Sequence, residues 1–306
     1  MIAARLHNRS GAASLVYEDA PMPAAQEGEV LVRVHAAAVT PTELQWSPTY
    51  VTRTGEPRPL PFTMGHEFSG EIHALGPGVS DLARGDAVFG MNDWFRDGAQ
   101  AEYCVARATE VARKPVTVDH VHAAATPISA LTAWQGLIDR AQLTAGQRVL
   151  VHGASGGVGI FAVQLARRRR AHVIGTCSAA NADLVRQLGA DRVIDYRSQR
   201  FEDAAGHVDV VFDTVGGDTL DRSWSVLEPG GRLITVAASA GKSPDPRVRA
   251  AFFIVEARRT QLEEIARLID TGGLRVVVGA VFPLAEARRA YEEKPARGKA
   301  VLTIVS

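Results

Sequence analysis

One stretch, Arg148–Gly159 (RVLVHGASGGVG), limits what this chain can fold into more than any other. Arg148–His152 is apolar enough for a buried strand, and residues 157–170 have the apolar spacing of a helix. Between them lie Gly153, Ala154, Ser155, Gly156, Gly157 and Val158. Glycines at such a strand-to-helix turn let the backbone bend sharply and approach a pyrophosphate. The helix N-terminus then offers free N–H groups and a partial positive charge. The expectation is a dinucleotide-binding loop; the competing reading is a tight turn with no ligand.

The surroundings favour the first. Apolar runs at 172–177, 192–195, 208–214 and 232–237 alternate with helical segments at 181–188 and 218–227. Such alternation, with nearly continuous apolar strands, indicates a parallel sheet covered on both faces. Residues 118–257, opened by an Ala/Leu-rich helix over 120–141, therefore read as a Rossmann-type domain. The chain before it is β-rich. Val30, Val32 and Val34 alternate through 29–35, and short strands are expected at 67–74 and 87–90. Residues 76–85 have turn chemistry, and 47–61 and 92–99 read as surface loops. The tail adds a helix at 261–272, a strand at 276–282, a helix at 285–292 and a strand at 300–305. No internal repeat or low-complexity segment interrupts this order, and 306 residues suit about two domains.

Charge and cysteine content exclude several classes. Lys+Arg and Asp+Glu both number 34, so there is no basic excess of the kind that nucleic-acid or membrane-surface binding needs. The run Arg167–Arg170 reads as the basic last turn of a helix. Cys104 and Cys177 cannot form a disulfide framework. With no apolar run of bilayer length and no signal-peptide pattern, a cytoplasmic location is expected.

The second strand of the dinucleotide unit bears on cofactor choice. NAD sites usually place Asp or Glu about 20 residues beyond the glycine loop. Here Gly175–Asn181 (GTCSAAN) holds no acid, and Asp183 falls within the next helix. Ser178 and Asn181 can accept a 2′-phosphate, and Arg197, just after Tyr196, can supply positive charge, with Arg186 and Arg200 as alternatives. The reading is NADP(H) rather than NAD.

Longer motifs extend the pattern. They are Gly65-His-Glu-Phe-Ser-Gly70, Ala74–Val79, Gly85–Gly90, Ala130-Leu-Thr-Ala-Trp-Gln135, Leu188–Asp191, Val193–Tyr196, Asp213-Thr-Val-Gly-Gly217, Pro229–Arg232 and Ala296-Arg-Gly-Lys299. With these the chain resembles the medium-chain dehydrogenase/reductases, in particular their zinc-independent quinone oxidoreductase-like branch. The resemblance implies an α/β architecture: a GroES-like β-barrel catalytic domain from 1–117 and 258–306, and a Rossmann doubly wound domain from 118–257. It further implies an active-site cleft between the domains and a homodimer.

It also implies site residues. Thr40, Glu43, Trp46 and Tyr50 fall where the catalytic pocket is expected, together with His66 and Thr126. Thr132, Val215, Phe252, Phe253 and Lys299 fall at expected cofactor contacts, besides the glycine loop, Ser178, Asn181, Tyr196 and Arg197; sheet core is the competing reading for the two phenylalanines, and a structural role for Lys299. The branch's common Asn-Pro-x-Asp reads Thr40-Pro41-Thr42-Glu43 here. Of the catalytic zinc positions of metal-dependent relatives, which fall at Thr40, His66 and near Thr126–Pro127, only His66 bears a ligand, so no zinc is expected. Without a Lewis acid, a conjugated acceptor is the easier substrate, because negative charge can delocalise. The implied activity is NADPH-dependent reduction of a quinone or an α,β-unsaturated carbonyl. A metal-free ketone or alcohol oxidoreductase and an NADPH-binding regulatory protein remain alternatives.

Overall fold

The computed structural model describes residues 1–304. The chain divides into two compact units. One comprises Met1–Ile128, Ala257–Pro295 and the chain after Gly298; the other comprises Ser129–Glu256 and Ala296–Gly298.

The first unit opens with β1 (Ile2–Leu6), β2 (Leu15–Asp19) and β3 (Glu29–Val39). Then come the single helical turn α1 (Ser47–Tyr50), β4 (Phe62–Thr63), β5 (Glu67–Leu75), β6 (Ala87–Met91), β7 (Tyr103–Arg107), β8 (Val111–Arg113) and α2 (His120–Ala124). β3 runs past the alternating segment because a β-bulge at His35 is followed by Ala36–Val39, buried on both faces. Ala37 joins the apolar cluster of Val30, Val32 and Phe68, whereas Ala36 and Ala38 pack with Ala124 and Ala125. This packing carries α2 with the first unit, so the division falls at Ile128/Ser129 rather than at the compositional break at 117/118. The segment expected as one helix over 120–141 is broken. α3 restarts at Pro127, where the ring disfavours helical geometry in the residue before it, and runs to Trp134, continuing as a π-turn over Gln135–Arg140.

The second unit alternates β9 (Arg148–His152), α4 (Gly157–Arg168), β10 (His172–Cys177), α5 (Ala182–Gln187), β11 (Arg192–Asp195), α6 (Phe201–Ala205), β12 (Val208–Asp213), α7 (Gly217–Ser223), β13 (Leu227–Thr235) and α8 (Pro246–Ala251). The strands form a parallel sheet in the order β11-β10-β9-β12-β13. The order reverses at β9, so the loop after β9 lies at the topological switch point where α/β sheets bind ligands.

The chain then returns to the first unit as α9 (Arg259–Asp270), β14 (Val278–Pro283), α10 (Ala287–Glu292) and β15 (Lys299–Thr303). Val305, the end of the expected last strand, lies outside the described residues. β15 pairs antiparallel with β3, completing a sheet in the order β14-β15-β3-β5-β6-β8 with β7 also on β3. A smaller sheet, β2-β1-β4, accompanies it. No helix among the described residues is long and apolar enough to cross a membrane.

Phe212 of β12 is fully buried, and its ring lies where Gly136 has no side chain: a Cβ added there would sit 2.5 Å from Phe212 Cε2. Phe212→Ala is expected to destabilise the second unit by about 3–5 kcal/mol, read from urea unfolding. A loss under about 1 kcal/mol would contradict this packing.

Candidate active site

The glycine loop is held from behind by a buried relay. Gly153 N–H donates to Thr176 Oγ1 (3.3 Å), and Thr176 Oγ1 meets His152 Nδ1 at 3.2 Å. On the other side His152 Nε2 meets Ser223 Oγ at 3.1 Å, and that hydroxyl donates to Thr219 C=O at 2.6 Å. Ser223 therefore accepts from Nε2–H, and Nδ1 accepts from Thr176. Burial drives the His152 pKa from 6.5 down to about 4, against the nearby Asp213 charge, so the ring is neutral near pH 7.

In front of the relay, Gly153 adopts φ 72°, open to glycine with little strain, and an added Cβ would meet Thr214 Oγ1 at 2.5 Å. Ala154 N–H bonds Thr176 C=O (2.9 Å), and Ser155 C=O accepts from Gly298 N–H (2.9 Å). Gly156 is the N-cap of α4 and supplies no side chain to the first N–H groups of the helix. Gly157 and Val158 open that helix. At Gly159 a Cβ would lie 2.1 Å from Gly153 C=O, so the helix seats directly on the loop only with glycine there. These features fit a nicotinamide dinucleotide's pyrophosphate.

Asn181, expected to be free for the cofactor, is buried and spends its amide on Ala296 C=O (2.8 Å), Ser155 Oγ (3.3 Å) and Ser178 Oγ (3.4 Å). It buttresses the loop. Tyr196 is 59% exposed, and the Arg197 guanidinium lies 5.7 Å from its ring centroid. Arg186 pairs with Asp183 (2.8 Å), and Arg200 with Glu202 (3.2 Å). Arg197 has no carboxylate partner among the described residues, which separates it from the other two.

Phe252 packs on the second unit's own core and against Gly241, and Phe253 is buried with Arg140 over its ring at 4.6 Å. Phe253 is thus a core aromatic, and Phe252 is half-buried against the same core. Thr132 is buried on α3, and Val215 is exposed after β12.

The first unit gathers the remaining candidates around Glu67. This carboxylate is fully buried. It pairs with the Lys299 ammonium, accepts from Thr40 Oγ1 (3.2 Å) and accepts from Ile128 N–H (3.0 Å). Lys299 Nζ also donates to Thr40 Oγ1 at 2.6 Å. Lys299, expected to approach the cofactor phosphates, is thus engaged within the barrel unit. Burial pushes the Glu67 pKa up, and Lys299 opposes that shift.

Nearby, Glu43 on the 3-10 turn Pro41–Gln45 is also fully buried. Its Oε2 accepts from Gly65 N–H (3.2 Å) and meets His66 Nδ1 at 3.3 Å. Glu43 Oε1 and His66 Nε2 are buried without a hydrogen-bond partner. Trp94 packs 4.9 Å from the His66 ring and edge-on to Trp46 at 5.0 Å. Tyr50 donates its hydroxyl proton to Leu44 C=O (2.8 Å), and burial raises its pKa. It sits in a helical turn rather than a loop. Trp94, read from sequence as part of a surface loop, and Tyr291, buried beside the Glu43 and Glu67 charges, belong to this cluster and carried no motif.

The metal positions of zinc-dependent relatives do not fit here. His66 is the only ligand-type side chain of the three; Thr40 is bonded to Lys299 and Glu67, and Thr126 donates to His122 C=O (3.0 Å). A catalytic zinc requires three protein ligands. Cys104 and Cys177 are buried elsewhere, in β7 and β10.

Residues 26–116 match the alcohol dehydrogenase GroES-like domain family, and residues 188–302 match the zinc-binding dehydrogenase family. A probable zinc-binding oxidoreductase, mitochondrial, of Arthroderma benhamiae is 34% identical over 93% of this chain and 91% of its own length. The human NAD(P)H oxidoreductase RTN4IP1, mitochondrial, is 33% identical over 90% of this chain and 82% of its own. The solved quinone oxidoreductase from Coxiella burnetii superposes with a TM-score of 0.89 at 29% identity, covering 100% of this chain and 99% of that one. The chain belongs to the medium-chain dehydrogenase/reductase superfamily and is an NAD(P)H-dependent oxidoreductase.

Two outcomes follow from the loop. Gly159→Ala is expected to weaken NADPH binding at least tenfold in a fluorescence titration, because α4 must move off Gly153; unchanged affinity would contradict the seating. A depressed histidine pKa contributes stability above about pH 6.5 that is lost as pH falls toward 4. For His152 this amounts to about 3 kcal/mol. The stability-versus-pH curve of His152→Gln should be flatter in that window, and a curve parallel to wild type would contradict the assignment.

Proposed function

We propose that this protein uses NADPH, without a catalytic metal, to reduce a quinone or the C=C bond of an α,β-unsaturated carbonyl. The observation that carries the reading is the buried set Glu43, His66, Glu67 and Lys299 with the half-buried Thr40 beside it. It offers a paired histidine, a fixed hydroxyl and one ammonium where a metal site would need three ligands.

Bound at the glycine loop, the nicotinamide cofactor supplies hydride. The backbone of Gly153–Val158 and the N-terminus of α4 hold its pyrophosphate. Ser178, Tyr196 and Arg197 hold its 2′-phosphate. Glu43 orients His66 by accepting its Nδ1–H, leaving Nε2 as the ring atom that takes a proton from solvent and passes it to the substrate. A conjugated acceptor suits this equipment. The electron pair arriving at its β-carbon, or at a quinone, spreads into an enolate or hydroquinone anion, which a hydrogen-bond donor can stabilise. The Trp94 ring packs against the fully buried His66 ring, with Trp46 edge-on to Trp94.

The test is NADPH oxidation in chelator against quinones, alkenals, cyclic enones and simple ketones, with NADH in parallel. Chelator-resistant turnover on conjugated acceptors is expected, with NADPH preferred by roughly ten- to a hundredfold and that preference reduced in Arg197→Ala. Glu43→Gln should lower kcat about a hundredfold while leaving NADPH affinity unchanged. Turnover confined to simple ketones, or abolished by chelator, would refute the reading. Tight NADPH binding with no turnover on any acceptor would instead indicate a regulatory binding protein.

A further inference from the structure

A second group of polar side chains stands apart from the Glu67 cluster. It joins His35, at the bulge of β3, Glu71 of β5 and His120, the first residue of α2. One donor atom from each lies within 4.8 Å of the others, and this is the one such trio of His, Cys, Asp or Glu among the described residues. We infer that these three residues form a binding site for a divalent zinc-class ion, which clamps α2 onto the sheet of the first unit.

Four observations support the inference. First, the β-bulge between Val34 and Ala36 leaves His35 as the extra residue of β3, without a register partner on β5. Second, His35 Nε2 is buried with no hydrogen-bond partner and lies 3.8 Å from Glu71 Oε2. An orphaned buried nitrogen costs about 1–3 kcal/mol unless something binds it.

Third, Ser69 sets the proton on His120. Its hydroxyl donates its only proton to Val88 C=O (2.9 Å), so at 2.8 Å from His120 Nδ1 it must accept. His120 is then the Nδ1–H tautomer, with its lone pair on Nε2. This is the arrangement of metal-binding histidines, whose second nitrogen donates to a fixed oxygen. Fourth, the His35 and His120 rings lie face to face, centroids 4.3 Å apart at 16°. A tetrahedral ion with ligands at about 2.1 Å requires donors roughly 3.4 Å apart, so binding would turn the two rings out of this stack.

Two imidazoles and one carboxylate select zinc or cobalt rather than magnesium or calcium, which prefer all-oxygen shells. A water completes the fourth position. The surrounding charges are Lys114 and Asp119, one of each sign. The site is separate in residues from the proposed chemistry at Glu43 and His66, and it does not depend on that reading.

The experiment uses the full chain without an affinity tag. Protein is dialysed against excess Zn²⁺ and then against buffer, and zinc is measured by elemental analysis; Co²⁺ is substituted in parallel and its visible spectrum recorded. Wild type and His66→Asn are expected to retain one equivalent of zinc and to give an intense tetrahedral cobalt spectrum. His35→Gln and His120→Gln should bind at least tenfold more weakly, and Zn²⁺ should raise the unfolding temperature of wild type but not of these variants. Glu71→Gln replaces either variant should circular dichroism show it unfolded. Wild type that retains no zinc would overturn the inference, as would histidine variants that bind like wild type, or binding lost only in His66→Asn.

Discussion

The first unit depends on one buried ion pair. Glu67 is inaccessible to water, and an unpaired carboxylate in such a place would be several kcal/mol unfavourable. The Lys299 ammonium compensates it, with Thr40 and Ile128 N–H filling the remaining acceptor positions. Four distant parts of the chain are thereby joined: the end of β3, the start of β5, the start of α3 and the start of β15. Removing one partner of such a pair typically costs about 3–5 kcal/mol, because the other charge is left unmatched. The tail returns to the barrel unit through β15, whose first residue, Lys299, sets its ammonium against the Glu67 carboxylate. The pair also determines the chemistry at Thr40, whose hydroxyl is shared between an ammonium and a carboxylate.

The second unit solves a different problem. Its sheet ends at a loop that must present backbone N–H groups while staying rigid. Glycine supplies close approach at Gly153 and Gly159, and the His152 relay supplies rigidity by tying Gly153 N–H through Thr176 and the imidazole to Ser223. A neutral histidine donates at one ring nitrogen and accepts at the other, as this relay requires. Asn181 adds a second tie, joining Ser155 to the backbone of Ala296.

Much of this was legible in the sequence. The Rossmann unit showed clearly because its strands are continuous apolar runs and its glycine loop stands between a strand and a helix. The barrel was harder to read. β2 is largely exposed and β8 has only three residues, so neither leaves a periodic signal. β3 continues through four residues buried on both faces, which alternation cannot reveal. At the site, Glu43 was identified by its place in a motif, but its partner His66 was weighed mainly as a lost zinc ligand. The pairing of Lys299 with Glu67, 232 positions away, is a tertiary fact that no motif shows. For Tyr50 and the two phenylalanines, residue type suggests a capacity, and only packing shows what each side chain already contacts.

The central claim is that hydride and proton are delivered separately, without a metal, to the two ends of a conjugated bond. The most direct test is reduction of a cyclic enone by chelator-treated protein with C4-deuterated NADPH, the product being analysed by NMR. The account predicts deuterium at the β-carbon from one face of the cofactor, and solvent hydrogen at the α-carbon. Deuterium at the carbonyl carbon, giving an allylic alcohol, would contradict it.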